Sequence, residues 1–344
     1  MSEPACPSGI NLALQGGGAH GAFTWGILDR LLEDGRLDIE AISGTSAGAM
    51  NAVVLCHGYV ADGRDGARQS LNDFWKSVSD AAQFSPIRRS AIDMFMGNWS
   101  LDTSPAFMFF DILSRVASPY DLNPLNINPL RDLLESIVDF EKLQKAREIR
   151  LFIAATNVHT GRVRVFRCAE LTADCVMASA CLPFLFQAVE IDGIPYWDGG
   201  FMGNPVLYPF FYECKSKDIL LVQINPTVRN ETPKSAREIL NRMNEITFNS
   251  SLMKELRAVE FVGRLIDEGH IDEGYYRKIF MHVIHGDEAL REMSASSKVN
   301  AEWLFLTTLR DLGRQTAKAW LEKNLDLVGT RSSVDLRQFF QGPQ

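Results

Sequence analysis

Apolar positions near the start of the chain follow two alternating periods. Residues 10–15 (INLALQ) form a short apolar run that predicts a buried strand, and residues 22–32 then carry apolar side chains at helical spacing. The same order repeats at once, with an apolar strand over residues 39–43 and a helix over residues 49–57. Two strand–helix units in succession predict an α/β fold with a parallel sheet.

Five further segments have the pattern of strands. Residues 150–156, 218–224 and 279–284 are apolar enough for buried strands, whereas residues 162–166 and 188–191 are shorter and typical of a sheet edge. We therefore expect a sheet of about six strands.

Two regions depart from this alternation. Residues 85–129 contain Pro, Asn and clustered large apolar residues over a length that an ordinary connection does not need, so we interpret them as an insertion over the sheet. After residue 226 the chain is mainly helical, with long amphipathic segments and no low-complexity linker. We expect a core of residues 10–226 and a helical extension, residues 227–344, packed on the same domain.

Composition narrows the classes of function. Lys and Arg number 35 against 43 Asp and Glu among 344 residues, a formal net charge of −8, which argues against electrostatic binding of nucleic acid. The N-terminus lacks the pattern of a secretory leader and no apolar run reaches about 18 residues, so we expect a soluble, cytoplasmic protein. The six cysteines are Cys6, Cys56, Cys168, Cys175, Cys181 and Cys214. Their spacing is typical of neither a zinc site nor a disulfide framework.

The second predicted strand runs into a candidate nucleophile turn. Gly44-Thr45-Ser46-Ala47-Gly48 matches G-x-S-x-G, in which a serine between a strand and a helix exposes its hydroxyl at the carboxyl edge of the sheet. The glycines Gly44 and Gly48 are needed because side chains on either side would collide in so sharp a turn. The positive N-terminal end of the following helix lies beside the charge that develops during attack.

The first predicted strand ends in a glycine-rich loop, Gly16-Gly17-Gly18-Ala19-His20-Gly21. Its N–H groups could form an oxyanion hole, but the spacing of its glycines also matches a dinucleotide fingerprint, with Asp38 or Glu40 near the distance of the ribose-binding carboxylate. In a dinucleotide fold the acidic residue ends the next strand. Here the strand ends in the serine turn, which favours a hydrolase.

A nucleophilic serine needs a base. Of the histidines His20, His57, His159, His270, His282 and His285, the last two flank a late strand and are the best candidates for a triad. The more specific candidate is Asp198, which follows an aromatic-rich hairpin and precedes two glycines that allow another backbone to approach closely. An ordinary Asp-Gly hairpin turn would look the same, so this run is not decisive alone.

Taken in order, the glycine loop, the serine turn and Asp198-Gly199-Gly200 resemble the three signatures of the patatin-like phospholipase family. The residues around the last signature are also similar to that family's stretch around its catalytic aspartate: Ser179-Ala180-Cys181-Leu182-Pro183, Phe186, Ile191-Asp192-Gly193 and Asn204-Pro205. The resemblance implies a three-layer α/β/α sandwich with a mostly parallel central sheet, extended here by the C-terminal helices. Two departures are His20, where the family often has Arg or Lys, and Gln187, where it often has Pro.

The resemblance also implies roles for residues. Ser46 and Asp198 would form a catalytic dyad, and Gly16, Gly17 and Gly18 would supply an oxyanion hole through the N–H groups of the last two. No metal or organic cofactor is implied. We therefore predict a lipid acyl hydrolase of the phospholipase A, lysophospholipase or carboxylesterase type, acting through an acyl-enzyme on Ser46.

Other functions remain open at this point. The same chemistry suits an acyltransferase or an intracellular polyester depolymerase, and a protein of this fold could bind lipid without catalysis. The expected partners are a lipid or ester substrate and, transiently, a membrane or lipid-aggregate surface; nothing in the sequence gives an oligomeric state. The Met and Phe side chains of the insertion suit either core packing or a mobile cover over an acyl chain.

Overall fold

The computed structural model describes residues 8–83, 85–229, 231–272, 276–286, 290 and 293–341. Cys6 lies outside the described residues, and the five other cysteines are free thiols. The described chain forms a three-layer α/β/α sandwich around a mixed sheet whose central strands are parallel.

The first two strand–helix units agree with the pattern of the sequence. Strand β1 (Ser8–Leu14) leads through the glycine loop into α1 (Gly21–Asp34), and β2 (Leu37–Gly44) leads through the serine turn into α2 (Ala47–Ala82). Helix α2 is much longer than predicted. Its backbone leaves helical geometry at Asp62 and Gly63, so two helical segments meet at a kink.

The sheet has eight strands within the described residues, so the prediction of about six was too low. The remaining strands are β3 (Arg150–Asn157), β4 (Val163–Arg167), β5 (Val189–Ile191), β6 (Ile194–Asp198), β7 (Asp218–Gln223) and β8 (Phe280–His285). Pairing follows β5–β6–β3–β2–β1–β7–β8, and β4 also pairs with β3. Strands β4 and β5 correspond to the predicted short strands at residues 162–166 and 188–191, whereas β6 was expected only as part of an aromatic-rich hairpin.

Helices cover both faces of the sheet. The helices between the insertion and β7 are α6 (Pro129–Ile137), α7 (Phe140–Lys145), α8 (Ala173–Ser179) and α9 (Tyr208–Glu213). The C-terminal part adds α10 (Ala236–Asp267), α11 (Trp303–Asn324) and α12 (Leu336–Gln341). In one hydrophobic core, α1, α2 and α11 pack against one face of the sheet. In the other, α9, α10 and α12 pack against the opposite face.

The insertion contains three helices, α3 (Ala91–Phe95), α4 (Pro105–Val116) and α5 (Pro119–Leu122). Leu101 is buried and Trp99 packs on the core, whereas many of the other large apolar side chains face solvent. Among these are Met94, Phe95, Met96, Met108, Phe109, Ile112 and Val116. The insertion is therefore not ordinary core throughout. None of the helices in the described part of the chain combines the length and apolarity that crossing a bilayer requires.

Candidate active site

Ser46 occupies a strained turn between β2 and α2. Its backbone has φ 55° and ψ −123°, a conformation that L-residues rarely adopt, and it is the N-cap residue of α2. A Cβ on Gly44 would lie 2.6 Å from the Gly48 carbonyl oxygen, and one on Gly48 would collide with the Leu14 carbonyl oxygen. The two glycines are therefore required by close backbone contact, and the side chain of Ser46 remains half-buried at the carboxyl edge of the sheet.

Two neighbours fix this turn. The Ser46 N–H donates to the hydroxyl of Ser179, at 3.0 Å, and Ser179 is fully buried at the end of α8. A Cβ on Gly16 would lie 2.6 Å from the Cβ of Ser46, so the glycine loop packs directly against the serine. The glycine loop and the serine turn are thus in direct contact at Ser46.

The pairing of β3 explains why Asp198 lies near Ser46. Ala155 and Thr156 pair with both β4 and β6, so these two strands lie on opposite edges of β3. Phe152 and Ile153 pair with both β2 and β4, so β2 also lies opposite β4. Strands β2 and β6 consequently share one edge of β3.

On that shared edge, β6 begins where β2 stops. Gly44 pairs with Ile153, whereas Asp198 pairs with Ala155, two residues farther along β3. Asp198 therefore occupies the position just beyond the end of β2, where the chain turns through Ser46. The structure brings together two residues that are more than 150 positions apart in sequence.

The backbone of Asp198 is held at both ends. Its N–H donates to the Cys181 carbonyl oxygen at 2.7 Å, and its carbonyl accepts from the Thr156 hydroxyl at 2.8 Å. On the side chain, Oδ1 accepts from the Gly200 N–H at 2.7 Å. The carboxylate is thus oriented by groups that leave its second oxygen, Oδ2, without a standard hydrogen bond among the described residues.

Burial raises the pKa of Asp198 from its ordinary value of 3.8 to about 7. The Gly200 N–H and, more weakly, the nearby Ser46 hydroxyl act in the opposite direction. Only 1% of the residue is exposed, so desolvation of the charged form is the dominant cause. A carboxyl group in this state is a stronger base than an exposed aspartate.

The glycine loop uses its three glycines differently. Gly16 donates its N–H to Oδ1 of Asn204 at 2.7 Å, which agrees with the expectation that the donors of an oxyanion hole would be the N–H groups of the two following glycines. The N–H groups of Gly17 and Gly18 donate to no acceptor in the described part of the chain. Gly18 has φ 59° and lies against the Lys298 carbonyl, where a side chain would collide.

The dinucleotide interpretation does not fit the register of the sheet. Asp38 lies opposite Gly9, at the start of β1, whereas the glycine loop follows the end of that strand. At about 3.3 Å per residue, the seven positions from Gly9 to Gly16 put Asp38 about 23 Å from the start of the glycine loop. Asp38 instead forms an ion pair with Arg64 at 2.6 Å, and Glu40 accepts hydrogen bonds from the N–H groups of Lys215 and Ser216.

The histidines proposed for a triad lie elsewhere. His282 is fully buried on β8, and its Nε2 is 2.9 Å from Oδ1 of Asp218. Strand β8 is three strands from β2, about 14 Å at the usual spacing, and His285 is on the same strand. His20 lies in the glycine loop, but its Nε2 is 2.7 Å from the Ser297 hydroxyl. These contacts assign packing roles to His282 and His20.

A comparison of the whole sequence with protein families decides the classification. The model of the family described as patatin-like phospholipase matches residues 12–211, which is more than half of the chain. The chain belongs to the patatin-like phospholipase family. This agrees with the resemblance of the three motifs, and the sandwich architecture follows the expected fold.

Solved structures similar to this patatin-like chain include two bacterial proteins. VipD from Legionella pneumophila is 16% identical with a TM-score of 0.40, and the alignment covers 92% of this chain and 66% of VipD. ExoU from the type III secretion system of Pseudomonas aeruginosa, solved in complex with SpcU, is 16% identical with a TM-score of 0.36; coverage is 92% and 52%. The chain thus spans less than two thirds of either structure. Among curated protein sequences, none matches it significantly.

Sequence reasoning missed several residues that shape this patatin-like site. Ser179 and Asn204 lie in segments that resemble the family's sequence around its catalytic aspartate, but the motifs indicate no role for either residue. Asn225 and Lys298 reach the glycine loop from more than 200 positions away, and no local pattern marks them. Buried polar residues far apart in sequence give no signal until the fold brings them together.

Proposed function

We propose that the protein is a lipid acyl hydrolase of the phospholipase A, lysophospholipase or carboxylesterase type, with Ser46 as nucleophile and Asp198 as base. The observation that carries this proposal is the position of the buried Asp198 carboxylate just beyond the end of β2, beside the strained Ser46 turn. Membership of the patatin-like phospholipase family supports a lipid ester as substrate.

In the proposed first step, Asp198 accepts the Ser46 proton while Oγ attacks the carbonyl carbon of the ester. A pKa of about 7 suits this transfer, because the group is substantially ionised near neutral pH and still basic enough to take a proton. The N–H groups of Gly17 and Gly18 stabilise the tetrahedral oxyanion, assisted by the N-terminal end of α2. The alcohol leaves with the proton that Asp198 has taken.

In the second step, water hydrolyses the acyl-enzyme. Asp198, again ionised, removes a proton from the water as it attacks, and the tetrahedral intermediate collapses to free acid and the Ser46 hydroxyl. The same carboxylate thus serves both half-reactions. No second side-chain base is required by this sequence of proton transfers.

The insertion supports a lipid substrate through the surface of α4. Met108, Phe109, Ile112 and Val116 are 44%, 68%, 61% and 77% exposed, and helical geometry places them within about 100° of one another. Helix α4 therefore turns an apolar stripe toward solvent. We propose that this stripe makes the transient contact with a membrane or lipid aggregate.

The residues that flank α4 are tied to segments that border the candidate site. At one end, the Leu101 N–H donates to the hydroxyl of Ser296 at 3.0 Å, in the segment that packs on the glycine loop. At the other, Gln187 donates to the Asn123 carbonyl at 2.7 Å, and Gln187 in turn accepts from Cys181. Helix α4 is thus held between one anchor beside the glycine loop and another beside Cys181.

A cavity of about 400 Å³ adjoins the second anchor. Its wall includes Tyr120 of the insertion together with Met177 and Cys181, and the carbonyl of Cys181 holds the N–H of Asp198. One residue of the cavity wall is thus hydrogen-bonded to the backbone of the proposed base. We propose that it accommodates part of the substrate.

A substrate panel with active-site labelling tests the proposal. Short nitrophenyl esters, lysophospholipids, phospholipids and polyesters are incubated with the wild type, Ser46→Ala and Asp198→Asn, and products are identified by mass spectrometry. We expect free fatty acid from the wild type, loss of at least 10²-fold in both variants, and a single fluorophosphonate adduct on Ser46. His285→Ala, on the distant strand β8, is the control and should remain within about twofold.

Other outcomes would redirect the assignment. A transfer product in place of free acid would identify an acyltransferase, and turnover of polyester alone would identify a depolymerase. An adduct on another serine, or none at all, would refute the assignment of Ser46 and favour lipid binding without catalysis.

A further inference from the structure

One peptide group of the glycine loop is polarised from behind. The carbonyl oxygen of Gly16 accepts a hydrogen bond from Nδ2 of Asn225 at 2.6 Å. The same peptide group carries the N–H of Gly17, which donates to no acceptor within the described residues. A hydrogen bond to the carbonyl side of a peptide withdraws electron density and strengthens its N–H as a donor.

The amide of Asn225 is itself polarised by a lysine. Asn225 is 1% exposed, and its Oδ1 accepts from Nζ of Lys298 at 3.0 Å. The carbonyl of Lys298 packs on Gly18, so this residue contacts the loop through both its backbone and its side chain. An unbroken chain of hydrogen bonds therefore runs from Nζ of Lys298 to the peptide between Gly16 and Gly17.

Burial lowers the pKa of Lys298, and the charge of Arg229 acts in the same direction. Glu245, which opposes the lowering of the Lys298 pKa by burial, is itself paired with Arg229 at 2.7 Å and with Arg242 at 3.1 Å. Burial lowers the pKa of His20 to about 3, and the charges of Lys298 and Arg229 act in the same direction. His20 is therefore neutral near pH 7 and does not itself supply charge to the loop.

We propose that Lys298 is a positioning residue for the oxyanion hole, acting through the Asn225 amide and the Gly16 carbonyl to strengthen the Gly17 N–H. The proposal rests on the function proposed above and deepens it. Lys298 lies outside residues 12–211, so the C-terminal region completes a site that the family match covers only in part. The strengthened Gly17 N–H stabilises the negative charge that develops on the substrate oxygen in the transition state.

Kinetics with a neutral, soluble ester measure the catalytic effect. Lys298→Met keeps the length of the side chain without its Nζ–H donor, and Lys298→Arg keeps an N–H donor at this position. Loss of a complete oxyanion donor costs about 10²–10³-fold, so weakening one donor should lower kcat about tenfold in Lys298→Met with KM unchanged. Lys298→Arg should remain within about threefold of the wild type, and Lys318→Met, on the exposed side of α11, should be silent.

A double-mutant cycle tests whether the effect passes through Asn225. If it does, Lys298→Met should cost almost nothing further in an Asn225→Ala background, because the chain of hydrogen bonds is already broken. Independent contributions would instead add, and additive losses would overturn the proposed route.

The amide proton resonance of Gly17 gives a readout that needs no turnover. In ¹⁵N-labelled Ser46→Ala protein, Lys298→Met should move this resonance upfield, and Lys298→Arg should restore it. An unmoved resonance, unchanged kcat, or a change in KM alone would each overturn the proposal. Absence of Ser46-dependent hydrolysis in the wild type would instead refute the proposed function, and the Gly17 resonance would still decide whether Lys298 polarises the loop.

Discussion

Replacing Asp198 by Asn should make the protein more stable at alkaline pH while removing its activity. Each pKa unit corresponds to about 1.4 kcal/mol, so moving this carboxyl group from 3.8 to about 7 implies a burial penalty of about 4 kcal/mol for its ionised form. Asn has nearly the same shape, still accepts from the Gly200 N–H and carries no charge. The substitution therefore removes the penalty without emptying the site.

The sign of the pH dependence follows from the two pKa values. The carboxyl group ionises above about pH 3.8 in the unfolded chain but only above about pH 7 in the folded protein. Between these values the unfolded state binds fewer protons, so this group makes the free energy of unfolding fall as pH rises. The penalty is about 1.5 kcal/mol at pH 5 and reaches its full value above pH 7.

Urea denaturation followed by tryptophan fluorescence at pH 5 and pH 8 measures the difference. We expect Asp198→Asn to gain about 2–3 kcal/mol more at pH 8 than at pH 5. Asp65→Asn, with a side chain that is 88% exposed, should change the free energy of unfolding by less than about 0.5 kcal/mol at either pH. An equal gain in the free energy of unfolding at the two pH values, or a decrease at pH 8, would show that the ionised Asp198 carboxylate carries no such burial penalty.

Three further predictions concern activity. The kcat/KM for a neutral ester should rise with pH to a plateau, with an apparent pKa near 7, because the candidate base must be ionised; a flat profile between pH 5 and pH 9 would contradict this. Gly16→Ala should lower kcat at least 10²-fold, since its Cβ would lie 2.6 Å from that of the nucleophile, whereas Gly263→Ala, with open space around it, should be neutral. Phe109→Ser with Ile112→Ser should lower turnover of micellar lipid at least tenfold and leave turnover of a soluble ester within twofold, because each apolar side chain buried in lipid contributes about 1.5–3 kcal/mol. Phe261→Ser, at an exposed position on α10, is the control. Equal losses on both substrates, or the same effect from the control, would refute a specific role for α4.

The fold was predictable where the sequence carries long, regular patterns. Strands β1, β2, β3, β7 and β8 follow apolar runs, and the helices at residues 235–268 and 300–323 follow amphipathic ones. The short strand β6 was not predicted as a strand of its own, because five residues with a proline give no clear alternation, and the kink in α2 depends on the local backbone of Asp62 and Gly63. The position of α4 depends on contacts made by the residues on either side of it, which no local pattern encodes.

For the candidate site, the sequence by itself determined the chemically special residues of each segment. Ser46 is marked by glycines that a sharp strand-to-helix turn requires, and the glycine loop and Asp198 are marked by glycines that permit close backbone contact. These are local steric demands, so they leave a local signature. The order of the three motifs then identified the family.

Only the tertiary structure decided how those residues are arranged. It placed Asp198 beyond the end of β2 by pairing β2 and β6 with the same edge of β3, and it set β8 and its histidines three strands away. It also committed the Gly16 N–H to Asn204 and brought Lys298 to the glycine loop. The physical reason is that strand pairing, burial and long-range hydrogen bonds depend on neighbours in space, whereas sequence patterns report neighbours along the chain.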